Sequence, residues 1–262
     1  MLLIDKYAYF NKLKNVHPVE KITLSLCLLL FSLIVKSPLI SLIVFILMST
    51  FTVVLARIPL SYYTKLLVLP LFFLISGIVT ILISFTEGHA VISDVIWSTH
   101  IGHWQIGISN ESIKRAVDLV FVVLSSVSCL YFLILTTPMT SIFDVLRKLK
   151  LPSLLIELIT LTYRFIFVIM EESVNMYQAQ SSRLGYITIR QGMKSLGLLI
   201  SILFLKVFER TKQLSIAMNS RCYEDEILFL DQSYRYSPVN WLIIAAIFAG
   251  MTIIYIQFGG IL

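Results

Sequence analysis

Two stretches of this chain end in the same residues. Residues 171–183 read EESVNMYQAQSSR and residues 209–221 read ERTKQLSIAMNSR. Aligned on the final arginine, Glu171 matches Glu209, Ala179 matches Ala217, Ser182 matches Ser220 and Arg183 matches Arg221. Each block follows an apolar run, so each reads as the C-terminal end of a helix. An arginine there offers a planar fork of N–H donors, suited to holding a carboxylate or several carbonyls in a partner's groove. The small residues behind it, Ala179 and Ser182 or Ala217 and Ser220, allow a close approach. A plainer use also fits: a cation at a helix C-terminus matches the helix dipole, and Ser-Arg is then only an ending.

Other candidate chemistry is thin. His89, His100 and His103 share one segment, and His100 and His103 have a spacing that metal sites use; imidazole suits cobalt and nickel. Scattered histidines in a loop outside a membrane read as well without a metal, and no metal ligand is assigned. Glu157 and Arg164 are seven apart and share a helix face, but about 10 Å separates them along the axis, so each is expected to pair elsewhere. No Gly-x-x-x-x-Gly-Lys-Ser/Thr loop is present, so the chain does not bind ATP by a P-loop. No nucleophile–base pair or His-Glu-x-x-His pattern marks an enzyme, and no catalytic residue or cofactor is expected. Cys27, Cys129 and Cys222 are far apart in sequence and read as reduced, with no disulfide or zinc motif.

The elements that must carry the two arginines are membrane helices. Of 262 residues, 58% are hydrophobic and 14% charged, too few charges for a soluble surface of this length. The apolar runs do not alternate, which excludes barrel strands and leaves helices. Expected spans are Ile22–Val35, Leu39–Ala56, Leu66–Phe85, Ala116–Leu135 and Val239–Phe258. The first is short against the roughly 20 residues a span needs. The fold class is therefore all-α: a polytopic membrane protein with about five spans and two long cytoplasmic helices. Residues 1–135 form a polar-aromatic head and membrane helices, with an external loop at 86–115 in which Trp104–Ser109 could be a short strand. Residues 136–238 form a charged cytoplasmic region, and residues 239–262 a last membrane helix.

The net charge of +6 reads as orientation rather than nucleic-acid binding. With the N-terminus inside, the cytoplasmic segments hold all basic residues except Lys36, Lys114 and Arg115. This places the chain in the inner membrane with a cytoplasmic N-terminus, the first span serving as insertion signal. The middle region reads as two amphipathic helices, Ser153–Leu184 and Ile189–Cys222, whose apolar halves lie along the membrane face or against other helices. Glu157, Arg164 and Lys206 argue against full insertion, since charges within the bilayer are costly. The alternative, a transmembrane hairpin, puts Arg183 and Arg190 outside.

The order of landmarks resembles the T component of energy-coupling-factor transporters, in particular the cobalt/nickel type, CbiQ. The residues that carry the resemblance are Asp5-Lys6-Tyr7, His17-Pro18 and Lys21, then Thr136-Thr137-Pro138 and Leu151-Pro152, then Tyr163-Arg164, Glu171 or Glu172, and the two Ala-x-x-small-Arg endings. It covers essentially the whole chain. The resemblance implies a scaffold without catalytic residues that joins two ATP-binding-cassette ATPase subunits to a substrate-binding membrane subunit. It further implies that the two helices are coupling helices, docking on the ATPases through Ala179, Ser182, Arg183, Ala217, Ser220 and Arg221. The family's helix ends read Ala-Arg-Gly; here they read Ser182-Arg183-Leu184 and Ser220-Arg221-Cys222, with serine for alanine and no glycine after arginine. In that family the metal binds on the partner subunit. The rival reading is a stand-alone secondary carrier or channel for a divalent metal.

Overall fold

The computed structural model describes residues 3–82, 84–87, 95–101, 104–223, 234 and 236–258. Among them are the helices α1 (Leu3–Phe10), α2 (Pro18–Val35), α3 (Pro38–Thr50), α4 (Leu60–Leu82), α5 (Asn110–Thr136), α6 (Met139–Lys148), α7 (Ser153–Ser182), α8 (Ile189–Asn219) and α9 (Pro238–Phe258). Seven helical segments are long and apolar enough to cross a membrane, by length and composition. They overlap all five expected spans, although the third runs from Leu60 to Leu82 and Phe85 falls in a strand instead, and they include α7 and α8 besides.

Several boundaries differ from the sequence expectation, for local reasons. Helix α2 starts at Pro18 rather than Ile22, which removes the shortfall in length. His17 caps it, its Nδ1 accepting from the Val19 amide at 3.1 Å, and Pro18 takes the first helical position, where no amide is needed. The reading from sequence left Glu20 and Lys21 outside the span because they are charged; both are buried within the protein instead. Lys36, at φ 50°, closes α2 in the left-handed conformation and makes the tight turn into α3. A π-helical turn, Phe51–Leu55, extends α3. Helix α5 begins at Asn110, inside the expected external loop, with Ser109 capping the Glu111 amide.

The helical class has one addition. The expected strand Trp104–Ser109 (β3) is present, and Ser84–Glu87 (β1) and Val95–Ile101 (β2) pair with it on either side, both antiparallel. His100 lies on β2 opposite Gln105; His89 and His103 lie outside the described residues.

The chain divides into two compact units. One comprises Leu2–Met139 and Ser233–Leu262. Its core joins α2, α3, α5 and α9 through Leu28, Ile40, Val44, Met48, Cys129 and Met251. Small hydroxyl residues let these helices approach. Ser32 hydrogen-bonds Ser125 at 2.5 Å and Ser41 at 3.1 Å, Ser25 donates to the Cys129 carbonyl, and Tyr63 bonds Ser49 and Ser128. Small polar contacts of this kind hold membrane helices together, because lipid supplies no hydrophobic drive between them. Phe72 and Phe73 on α4 remain about four-fifths exposed, as a lipid-facing surface allows. The other unit, Thr140–Gln232, holds nearly all of α6, together with α7 and α8.

Candidate functional site: the two helix ends

Helices α7 and α8 form an antiparallel pair. Tyr223, just beyond α8, donates to Glu157 near the start of α7 at 2.7 Å, and Lys206 pairs with Glu172 at 2.6 Å. The residue numbers rise along one helix as they fall along the other, which defines the direction. The expectation that Glu157 bonds elsewhere than to Arg164 holds in this contact. The Glu172–Lys206 pair is half exposed and contributes under about 1 kcal/mol. At the connecting turn the rings of Tyr177 and Tyr186 lie 4.8 Å apart, and the Tyr186 hydroxyl donates to Gln180.

The sequence repeat reappears in this pairing. A cleft of about 400 Å³ opens between the helices. Its lining residues on α7 (Phe165, Val168, Ile169, Glu171, Glu172 and Asn175) correspond in the sequence repeat, at one constant offset, to those on α8 (Leu203, Lys206, Val207, Glu209, Arg210 and Gln213). Every pair has the same offset as Arg183 and Arg221, so the two helices meet at equivalent positions. From there each helix runs about 20 Å to its own arginine. The arms point in opposite directions, and the two arginines lie up to roughly 40 Å apart.

Both arms stop in the same way. On α7, the Gly185 amide reaches the Gln180 carbonyl at 3.0 Å and the Leu184 amide reaches Ser181 at 2.9 Å. On α8, the Tyr223 amide reaches Met218 at 3.2 Å and the Cys222 amide reaches Asn219 at 3.2 Å. This is the Schellman pattern, which needs a left-handed residue just past the last turn. Leu184 (φ 61°) and Cys222 (φ 53°) supply it. On α7 the left-handed residue is Leu184, not the glycine that follows it. Gly185 answers a different demand. A Cβ there would lie 2.8 Å from Ser195 Oγ and 2.9 Å from the Gln180 carbonyl, and Ser195 donates to the Gly185 carbonyl at 2.8 Å.

Ala179, Ser182, Arg183, Ala217, Ser220 and Arg221 are all exposed. Ser182 and Ser220 each turn their hydroxyl back to a carbonyl one turn earlier, Gln178 and Ile216, which leaves the helix ends small and neutral beside each arginine. Ala217 also lines a second opening between the helices, with Leu161 and Arg164. Neither Arg183 nor Arg221 pairs with a carboxylate among the described residues. Among the described residues, each arm therefore ends in a planar donor group with no ion-pair partner. What such a planar fork can do chemically is hold a carboxylate or carbonyls.

The family model of the cobalt transport protein CbiQ matches residues 11–229. The chain belongs to the CbiQ family. This is the T-component family that the landmarks resemble. Cobalt transport protein CbiQ of Rhodobacter capsulatus is 30% identical over 90% of this chain and 90% of its own. The putative fused cobalt transport protein CbiMQ of Methanocorpusculum labreanum is 30% identical over 94% of this chain but only 41% of its own length. Energy-coupling factor transporter transmembrane protein EcfT of Lactococcus lactis is 29% identical over 72% of this chain and 70% of its own. These relatives are transport components rather than enzymes, and this CbiQ-family chain is a multi-pass membrane protein.

The left-handed geometry explains why glycine suits the residue after arginine, and it carries a prediction. A non-glycine residue in that conformation costs roughly 1–2 kcal/mol, less the entropy that glycine loses on folding. Leu184 is two-thirds exposed, so its replacement forfeits little packing. Leu184→Gly and Cys222→Gly are expected to stabilise their helix ends by about 0.5–1 kcal/mol each, read as slower proteolysis of the purified protein at residues 182–188 or 219–223. Faster cleavage in either variant would contradict the strain argument. Sequence reasoning also missed Glu20 and Asn11. Both are polar residues in a head that offers no periodicity, and only burial distinguishes them.

Proposed function

We propose that this chain is the non-catalytic T component of an ATP-driven energy-coupling-factor importer for cobalt or nickel. It joins two ATP-binding-cassette ATPase subunits to a substrate-binding membrane subunit and passes the ATPases' motion to that subunit through α7 and α8. The observation that carries the reading is the pair of equivalent, exposed arginines on oppositely directed arms of one hairpin. A single chain with two like docking ends suits a pair of like subunits. The similarity to EcfT supports an energy-coupling-factor assembly, and the fused CbiMQ relative supports a partner close enough to share a chain. Cobalt rests on the names CbiQ and CbiMQ; the metal is cargo and would be chosen on the partner.

In this reading the chain sits in the inner membrane with its N-terminus in the cytoplasm. Helices α2, α3, α4, α5 and α9 cross the bilayer, while α7 and α8 lie along its cytoplasmic face with their charged ends free. Residues 1–135, 136–238 and 239–262 then act as membrane body, coupling region and final span. Glu157, Arg164, Glu172 and Lys206 support this placement, since inserting α7 and α8 would carry them into the bilayer.

The test is purification of the chain from its native membrane without added partners. An ATPase and a small membrane protein are expected to travel with it; a lone chain that still imports cobalt would establish the stand-alone carrier instead. Orientation has its own measurement. A cysteine at Ser182 should react with an impermeant thiol reagent only in inside-out vesicles, and labelling only from outside would reverse the topology.

A further inference from the structure

The chain leaves the membrane unit after Met139 and returns to it at Ser233, so everything between is tethered at two points. Adjacent residues of α2 hold the helix ends at both. Lys21 is buried, and its Nζ donates to the Thr136 carbonyl at 2.9 Å. Beside it, buried Asn11 donates to the Leu135 and Thr136 carbonyls at 3.3 and 3.2 Å. These carbonyls belong to the last turn of α5, where no intrahelical donor is available. Glu20, with 2% of its surface exposed, accepts from the Ser237 amide at 3.1 Å and from Asn240 Nδ2 at 2.6 Å. Ser237 immediately precedes α9, and Asn240 lies in its first turn. His17 stacks on Tyr236 just before it, with ring centroids 3.9 Å apart.

The signs match the helices they hold. A cation meets the negative C-terminal end of α5, and a carboxylate meets the positive N-terminal end of α9. Neighbouring residues on a helix point about a quarter-turn apart or more, so Glu20 and Lys21 can serve different partners without competing. Both charges are buried, where charge-assisted hydrogen bonds are strong and an unpartnered charge is costly. Core packing alone would be met by apolar side chains here; two buried opposite charges of α2, one against each tether helix, call for another explanation.

We propose that Glu20 and Lys21 form a clamp that fixes both tethers of the coupling region to the first membrane helix, so that motion of that region moves the membrane body as one piece. The clamp consists of positioning residues, touches neither ATP nor metal, and rests on the coupling reading above. It stays closed throughout the transport cycle. Losing it leaves the ATPases bound and working while the membrane body no longer follows.

The experiment uses the complete complex with its ATPases and substrate-binding subunit, purified, reconstituted in vesicles and supplied with cobalt. Uptake and ATP hydrolysis are measured on the same vesicles in Glu20→Gln and Lys21→Met. The expected result is hydrolysis within about twofold of the parent and uptake per ATP lower by about fivefold or more. A merely structural residue would change yield or melting temperature but not this ratio among assembled complexes. A second variant protects the test against misfolding. Glu20→Cys with Ser237→Cys, in a background with Cys27, Cys129 and Cys222 replaced by alanine, is bridged by a short bifunctional thiol reagent, because a direct disulfide demands a tighter geometry. The bridged complex is expected to regain the parental ratio. An unchanged ratio in the single variants, or a bridged complex that hydrolyses ATP without importing, would overturn the clamp alone. A parent chain that brings no ATPase with it would overturn the clamp and the coupling reading together.

Discussion

With Arg183 and Arg221 both changed to alanine, the chain is expected to reach the membrane at parental levels and, on the coupling reading proposed above, to lose the ATPases. Each arginine stands exposed at the end of its arm, and neither pairs with a carboxylate among the described residues. Removing one therefore breaks no ion pair among the described residues. A hydrogen bond to a charged group is worth about 1.5–3 kcal/mol. One substitution should weaken ATPase binding by roughly 10- to 150-fold, and both together by two to four orders of magnitude. Uptake falls to background in the double variant, and each single variant keeps a partial complex through the other arm. Lysine rescues poorly at either position, since it offers a point charge in place of a planar fork. The measurements are pull-down of the ATPase, ATP hydrolysis and metal uptake beside the parent. Parental uptake in the double variant would mean that the arginines are helix ends and nothing more.

The second large effect falls on a residue that touches no partner. Gly185→Val places side-chain atoms where Ser195 Oγ and the Gln180 carbonyl already stand, 2.8 and 2.9 Å from the first added carbon. The serine can turn away, but the carbonyl is fixed by the amides of Arg183 and Gly185 that close α7. The turn must open, at a cost of about 1–3 kcal/mol. Since the same hydrogen bonds aim Arg183, the variant should behave like Arg183→Ala: about tenfold weaker ATPase retention, with faster cleavage between residues 183 and 188. Gly197→Ala is the control, because a Cβ there meets nothing within 4 Å. Equal behaviour of Gly185→Val and the parent would show that the turn does not set the arm.

The sequence alone was enough for the helical membrane class, the positions of the long apolar helices and the two long helices of the middle region. Lipid forces this legibility: a backbone without water must satisfy itself within each segment, so long apolar runs announce their structure. The repeat ending in Ser182-Arg183 and Ser220-Arg221 was legible for the same reason, since both arms are local helices.

What the tertiary structure alone decided depends on residues far apart in the chain. Leu184 and Cys222 are unremarkable letters until the closing hydrogen bonds require a left-handed residue at each. The equivalent offset along the α7–α8 cleft emerges only when two helices of the same repeat pack against each other. Glu20 and Lys21 fall just before the expected first span, Ile22–Val35, because charge is normally excluded from an apolar run. Their helix begins at Pro18 instead, and the ends of α5 and α9, more than a hundred residues away, supply the carbonyls and amides that make burying them possible. Hydropathy reports the cost of placing a charge in lipid; it carries no information about a partner that folding will deliver.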